Sequence, residues 1–471
     1  MNRGAKDRFI PYIVAAAFFM ETFDATVIDT ALPAIAESFD TTAVSLSAGI
    51  TAYMLALAAT IPASGWLADR FGPRTVFCVA IAVFTLASVM CAVSGSLNEF
   101  VGARLLQGAA AALMSPIGRL VVLRSASKAE IVRAIALVTW PGLIGPVVGP
   151  PVGGFLVTYA SWPWIFFLNV PLGIVGMILV WFFVPNDRPE VRRRFDTTGF
   201  LLTAFALACL IYGFELVGHA DGRIVLVALL MVCGSLLAWL SVRHMWRVPN
   251  PLLDLSSFQI PTFALTTLWA GSLLKMTSGA MPFVLPLYFQ LGFGLPAFSA
   301  GLLVFAYAAG NLGMKAITTR LLRAFGFRRL LIVNGVLVTT LILVVAITGP
   351  ATPRPVLITL LFLAGCFRSL QHTSINTLTF ADVLPEQRSS ATTLSIMFQQ
   401  LSFSVGIAVG ATVLALSALL GGRLPGDLAL GDFRATFVVL AVLALGSALR
   451  FTAVGPEVGD EVSGHKAERK A

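Results

Sequence analysis

Residues 65–76 read GWLADRFGPRTV. A short basic turn sits here between two long apolar runs. Gly65 is placed to end the first run. Gly72 is placed to permit a tight turn, because glycine takes up left-handed backbone without a Cβ clash. Asp69 is the single acid of the stretch. It can pair with Arg70 or Arg74, or cap a neighbouring helix N-terminus. Such a pair would latch this face of the protein; an ordinary connecting turn is the plainer reading. A similar turn, AFGFR at 324–328, follows a later apolar run 254 residues on. Gly145, Gly149 and Gly153 are matched by Ser402, Gly406 and Gly410, 257 residues on. Two offsets that nearly agree point to two parallel halves, an arrangement that transporters use with a site at the repeat interface.

The bulk composition agrees. The chain has 471 residues, 57% apolar and 12% charged, against about 25% charged in a soluble protein. Its mean hydropathy is +0.88. Apolar runs long enough to cross a bilayer recur along the chain. They fall near 9–32, 45–67, 75–95, 99–123, 131–157, 163–185, 197–217, 222–242, 260–289, 297–319, 329–348, 355–379, 390–420 and 433–454. The basic amino terminus could open a cleaved signal peptide, but the run after it lacks a small-residue cleavage site, so it reads as a retained first span.

With the amino terminus cytoplasmic, nearly every lysine and arginine outside the spans falls on the inner side. The outer side holds only Arg223, Arg354, Arg423 and Arg434. The positive-inside rule then puts both termini in the cytoplasm and fits an even number of spans. It also explains the net charge of +9 without a nucleic-acid partner. Five cysteines lie inside spans at spacings that match no metal motif. No cofactor, metal or catalytic residue is expected. No GxxxxGK loop and no soluble nucleotide domain exists for an ATP-driven pump, and no HExxH or Cys/His cluster for a membrane-embedded enzyme.

The first span carries Glu21, Asp24 and Asp29 in FFMETFDATVIDTALP, 18–33. A charge near a bilayer centre costs roughly 2.5–3.5 kcal/mol on insertion scales. At 100° per residue the three acids share one arc of about 140°, so they face a cavity or the bundle interior. Asp24 lies about 10 Å, and Arg104 on the fourth span about 8–9 Å, from the same membrane face. The two are level. Asp29, nearer the outer end, is expected in contact with water there. Between Pro141 and Gly154 nine of fourteen residues are Gly or Pro. Gly145, Gly149 and Gly153 make a smooth face for close helix packing, and Pro146 and Pro150 weaken the backbone ladder. The second half carries Lys275, Arg368 and His372 within spans.

The turn at 65–74 resembles the span 2–3 signature of the major facilitator superfamily. Three further stretches resemble signatures of its drug:proton antiporters, DATVIDTALP at 24–33, RLLQGAAAAL at 104–113 and GPVVGPPVGG at 145–154, and WPWIFFLNVPLG at 162–173 resembles a stretch typical of the fourteen-span members, the EmrB/QacA type. Asp29, where that family usually has Asn, and Glu21 depart from it. So does Arg323, which stands in the second turn where Asp69 stands in the first.

The resemblance implies an all-α integral membrane protein with the major facilitator fold. Two six-helix bundles, 1–187 and 251–471, flank two inserted helices in 188–250, making 14 transmembrane helices. It implies a proton-coupled efflux antiporter of the inner membrane, of multidrug type, working by alternating access as a monomer. Its partners would be a small-molecule substrate, protons and the lipid bilayer. Asp24, Arg104, Glu21 and Asp29 become candidates for proton coupling. Gly65, Asp69, Arg70, Gly72 and Arg74 would form a cytoplasmic gate. Gly145, Pro146, Gly149, Pro150, Gly153 and Gly154 would form the antiporter helix. Gln107, Lys275, Arg368 and His372 would line the substrate cavity. The basic second half leaves open an anionic metabolite, or a metal–carboxylate chelate such as citrate, as cargo. An uptake symporter and a transport-dead regulatory partner are lesser alternatives.

Overall fold

A backbone crossing lipid finds no water for its N–H and C=O groups, so it must satisfy them within itself. The computed structural model, which describes residues 9–125, 131–186, 195–217, 224–248, 251–384, 387–424, 426–455 and 458–459, does so with helices and no strand among those residues. The long helices are α1 Ile10–Val27, α2 Ser47–Thr60, α3 Pro73–Val93, α4 Leu97–Ser125, α5 Ile131–Tyr159, α6 Asn169–Phe183 and α7 Thr197–Val217. They continue as α8 Ile224–Met245, α9 Ala270–Leu287, α10 Ala297–Phe325, α11 Phe327–Ile347, α12 Arg354–Thr379, α13 Arg388–Leu420 and α14 Leu430–Arg450.

Among the described residues, thirteen helices are long and apolar enough to cross a membrane. The remaining expected span, near 260–289, is helical from Pro261 to Gly292 but broken by π turns at Leu265–Trp269 and Tyr288–Gly292. Lys275 and a run of Ser, Thr and Gly make it less apolar than the others. Of the basic residues that set the orientation, Arg3, Lys6, Arg8, Lys128, Arg188, Arg192, Arg193, Arg194, Arg223, Lys466, Arg469 and Lys470 lie outside the described residues.

Contacts part the chain into two compact units. The first is Met1–Leu210 with Leu229–Leu252, and the second is Ile211–Ala228 with Leu253–Ala471. In the first, α1 packs on α5, α2 on α4, and α3 on α4 and α6. In the second, α9 packs on α13, α10 on α12, and α11 on α12 and α14. The same pairs recur in the same order. The close approaches recur too. A Cβ on Gly108 of α4 would lie 2.1 Å from the Tyr53 carbonyl oxygen of α2. One on Gly365 of α12 would run into that of Tyr307 on α10. These small residues let backbones meet where side chains would hold them apart. Outward faces carry large apolar side chains, as on α8 with Val225, Leu229, Val232 and Trp239, which suits acyl chains. The cysteines described are all free, and Cys233 is exposed on α8 rather than buried.

Gly65 does not end the second span. After Thr60 the chain makes a 3₁₀ turn, Ile61–Ala63, and runs on as the helix Ser64–Phe71. A single glycine only weakens a helix; the stop comes at Gly72, whose φ of +90° breaks the ladder and starts α3. Gly326, φ +69°, does the same between α10 and α11.

Candidate functional site

Asp24 and Arg104 meet. Both side chains are fully buried, with Arg104 Nη1 2.8 Å from Asp24 Oδ2. The other carboxylate oxygen, Oδ1, accepts from Gln107 Nε2 at 3.0 Å and from Asn169 Nδ2 at 2.6 Å. Arg104 Nη1 also donates to Gln107 Oε1 at 2.5 Å. Ser88 Oγ accepts from Gln107 and Asn169 at 2.8 and 3.2 Å, and itself donates to the Phe84 carbonyl at 2.9 Å. The Arg104 guanidinium lies 4.4 Å from the centroid of the Tyr53 ring. Side chains from five helices of the first unit thus form one network around the Asp24 carboxylate. Buried charges persist only when paired and hydrogen-bonded, and Asp24 is both. Arg104 Nε and Nη2, Asn169 Oδ1 and the Tyr53 hydroxyl have no partner among the described residues, so the network retains donors and acceptors for rearrangement.

Sequence reasoning placed Asp24 and Arg104 but gave Gln107 to a cavity wall, whereas it is fully buried inside the charge network. It missed Asn169 and Ser88. Asn169 is the signal that was available: a polar amide within the apolar stretch WPWIFFLNVPLG. Ser88 and Tyr53 carry no comparable mark.

The other two acids of the first span differ. Glu21, half-buried, accepts from Ser115 Oγ at 2.6 Å. Asp29 is only 4% exposed, not solvated at the outer end. The chain does not end its helical run there: it turns through Ile28–Thr30 and continues as Leu32–Ser38.

The proposed antiporter helix, α5, lies on α1 in register. Built Cβ atoms on Gly145, Gly149 and Gly153 would stand 2.4, 2.4 and 2.5 Å from the hydroxyls of Thr22, Thr26 and Thr30. Thr30 also donates to the Pro150 carbonyl at 3.3 Å. Pro141, Pro146, Pro150 and Pro151 lie inside α5 without ending it, and Gly154 is buried. At the turn between α2 and α3, Asn186 Nδ2 donates to Thr75 Oγ1 at 3.1 Å, and its Oδ1 would lie 2.2 Å from a Cβ on Gly72. The Arg74 guanidinium lies 5.0 Å from the Trp181 ring centroid. Asp69 is half-buried and Arg70 exposed. In the second unit Lys275 is buried on α9, and Arg368 and His372 stand one turn apart on α12.

A helical protein of this order, with a buried acid–arginine pair in one of two repeated units, can be compared with known families. The family model described as Major Facilitator Superfamily matches residues 14–407. The chain belongs to the major facilitator superfamily. It is therefore a multi-pass membrane transporter of that superfamily, not an enzyme. Relatives include the "Putative multidrug resistance protein MdtD" of Citrobacter koseri, 39% identical over 410 residues, 86% of each chain. The protein of the same name from Pectobacterium carotovorum is 38% identical over 421 residues, covering 88% of this chain and 89% of its own. Among solved structures, a peptide transporter POT in complex with sulfate superposes with a TM-score of 0.69 at 14% identity, over 98% of this chain and 99% of its own. At that identity the match speaks for the major facilitator fold alone.

Proposed function

We propose that this chain is a proton-coupled exporter of small molecules, of the fourteen-span drug:proton antiporter type, in the inner membrane with both termini cytoplasmic. The observation that carries the reading is the Asp24–Arg104 pair, fully buried on α1 and α4 and linked by hydrogen bonds and a ring contact to α2, α3 and α6. The names of its relatives support a multidrug cargo.

The pair works as a switch. Ionised Asp24 holds the Arg104 guanidinium. A proton on the carboxylate removes the charge that Arg104 answers, and Arg104 falls back on Gln107 and the Tyr53 ring. The link between α1 and α4 then loosens. Because α1 is seated on α5 through the Thr22–Thr26–Thr30 stripe, a shift of α1 is transmitted to the helix whose prolines let it bend. Alternating access follows from repeating this cycle as protons enter from outside and leave inside. A charge moved through 100 mV supplies about 2.3 kcal/mol, enough to concentrate cargo by more than tenfold per proton.

The test is transport in inverted membrane vesicles carrying an imposed pH gradient, with ethidium and small organic acids as cargo. Gradient-driven accumulation, abolished by a protonophore and lost in Asp24→Asn, is the expected result. Accumulation by Asp24→Asn at the wild-type rate would falsify the coupling role. Accumulation driven by ATP with the pH gradient collapsed would contradict the antiporter reading altogether.

A further inference from the structure

Lys275 stands in the middle of α9 at 1% exposure, and its Nζ has no hydrogen-bonding partner among the described residues. A lone buried ammonium is strongly unfavourable unless something answers its charge. Nearby, on α12, Arg368 donates from Nη2 to the Ser278 carbonyl at 3.1 Å, lies 5.6 Å from the Tyr307 ring centroid, and leaves Nε unbonded. His372 stacks on Phe403 with centroids 6.4 Å apart. Its Nδ1 lies 3.3 Å from Asn376 Nδ2. That amide nitrogen can only donate, so Nδ1 accepts and the ring hydrogen sits on Nε2, which has no partner. Ser278 Oγ, 2% exposed, has none either. Lys315 is close enough for its charge to act on both Arg368 and His372.

No acid on α9 to α13 answers these charges. Residues 255–381 and 387–420, which hold α9 to α13, contain no Asp or Glu. Of the acids that flank those stretches, Asp254 accepts from the Ser256 amide at 2.9 Å, Asp382 accepts from Thr262 at 2.7 Å and Asp432 pairs with Arg423 at 2.6 Å, while Glu386 lies outside the described residues.

We propose that Lys275, Arg368, His372 and Ser278 form a binding site for the carboxylate of an organic acid. The site deepens the exporter reading by naming an acidic class of cargo, and rests on that reading only for the direction of transport. Unpaired donors of two cations, an imidazole and a hydroxyl, carried on α9 and α12 where Arg368 bonds the Ser278 carbonyl, are what a carboxylate requires. A lipophilic cation would meet only like charge there.

Equilibrium binding of radiolabelled benzoate to the detergent-purified full chain tests this without a pH gradient, with benzamide and benzylamine as neutral and cationic controls. Saturable benzoate binding, displaced by octanoate but by neither control, is the expected result. Lys275→Gln and Arg368→Gln should each weaken it at least tenfold, while Lys275→Arg keeps most of it. Equal affinity for benzoate and benzamide overturns the proposal, and that comparison needs no variant to fold. So does the absence of benzoate binding at millimolar concentration, or wild-type affinity in a well-folded Lys275→Gln. Proton-driven export lost with benzoate binding intact would sink the exporter reading and leave this site standing.

Discussion

At the scale of single residues, the Asp24 carboxylate is held by three donors, and each has a different worth. Arg104 supplies the opposite charge. Its replacement by Gln leaves a buried carboxylate unanswered, a loss of about 3–5 kcal/mol that should appear as a large drop in the melting temperature of the purified protein. Asn169 supplies a neutral hydrogen bond. Asn169→Ala should cost about 1–3 kcal/mol, visible as a smaller drop, and should impair transport while Arg104 still pairs with Asp24. If Asn169→Ala melts and transports as wild type does, the amide is not a working member of the network. Charged members were legible from sequence because the rise of a helix is uniform: counting residues from the membrane face put Asp24 and Arg104 at one height. The neutral members were not. Gln107 reads from sequence only as a cavity residue, Asn169 only as a stray amide in an apolar stretch and Ser88 not at all, and it is the packing of α3, α4 and α6 that gathers them around Asp24. Asp29 was misjudged because the turn and short helix after it break no hydropathy pattern.

At the scale of elements, the α1–α5 contact is set by glycine on one helix and threonine on the other. Gly149→Ala places a methyl 2.4 Å from Thr26 Oγ1, an overpacking that should cost about 1–3 kcal/mol. Gly65→Ala is the internal control: nothing lies within 4 Å of its Cβ, and alanine in a helix interior should stabilise by about 0.5–1 kcal/mol. Melting curves of the two variants should therefore shift in opposite directions; a harmless Gly149→Ala would mean the helices are not held this close. The glycine spacing was plain in the sequence, whereas its partner helix and the run of α2 beyond Gly65 were not, since nothing local says which helix a smooth face meets.

A second element-scale contact lies at the start of α7. Asp196 accepts from the Gly199 amide at 2.8 Å, from His244 at 2.8 Å and from the Leu252 amide at 3.1 Å. Burial works to raise its carboxyl, but these donors outweigh it and hold the group below the usual carboxylate range. A carboxyl lowered on folding stabilises the protein above its unfolded value, and that contribution fades as pH falls through the folded one. Asp196→Asn should therefore melt below wild type at neutral pH, and the gap should close on acidification below about pH 4. A gap independent of pH would show that the ionised form is not what holds α7 to α8.

At the scale of the whole molecule, the sequence repeat at 65–76 and 324–328 foretold what the helix pairings display: the same neighbours, in the same order, in each unit. The span near 260–289 escaped the apolar pattern of the other thirteen because it carries Lys275 and hydroxyl-rich turns in place of aliphatic side chains. The asymmetry of charge between the units has the same origin. Three acids sit on α1 and the turn that follows it, and none between residues 255 and 381, so the repeat preserves backbone architecture while the chemistry of its two copies has diverged.

Transport turns on Asp24 giving up and taking back a proton as cargo moves. The most direct measurement is proton release from the purified protein in weakly buffered detergent solution when saturating ethidium is added. Wild type should release protons, and Asp24→Asn, folded and still binding ethidium, should release none. Equal release from the two proteins, or a wild type that binds ethidium without releasing any proton, would contradict it.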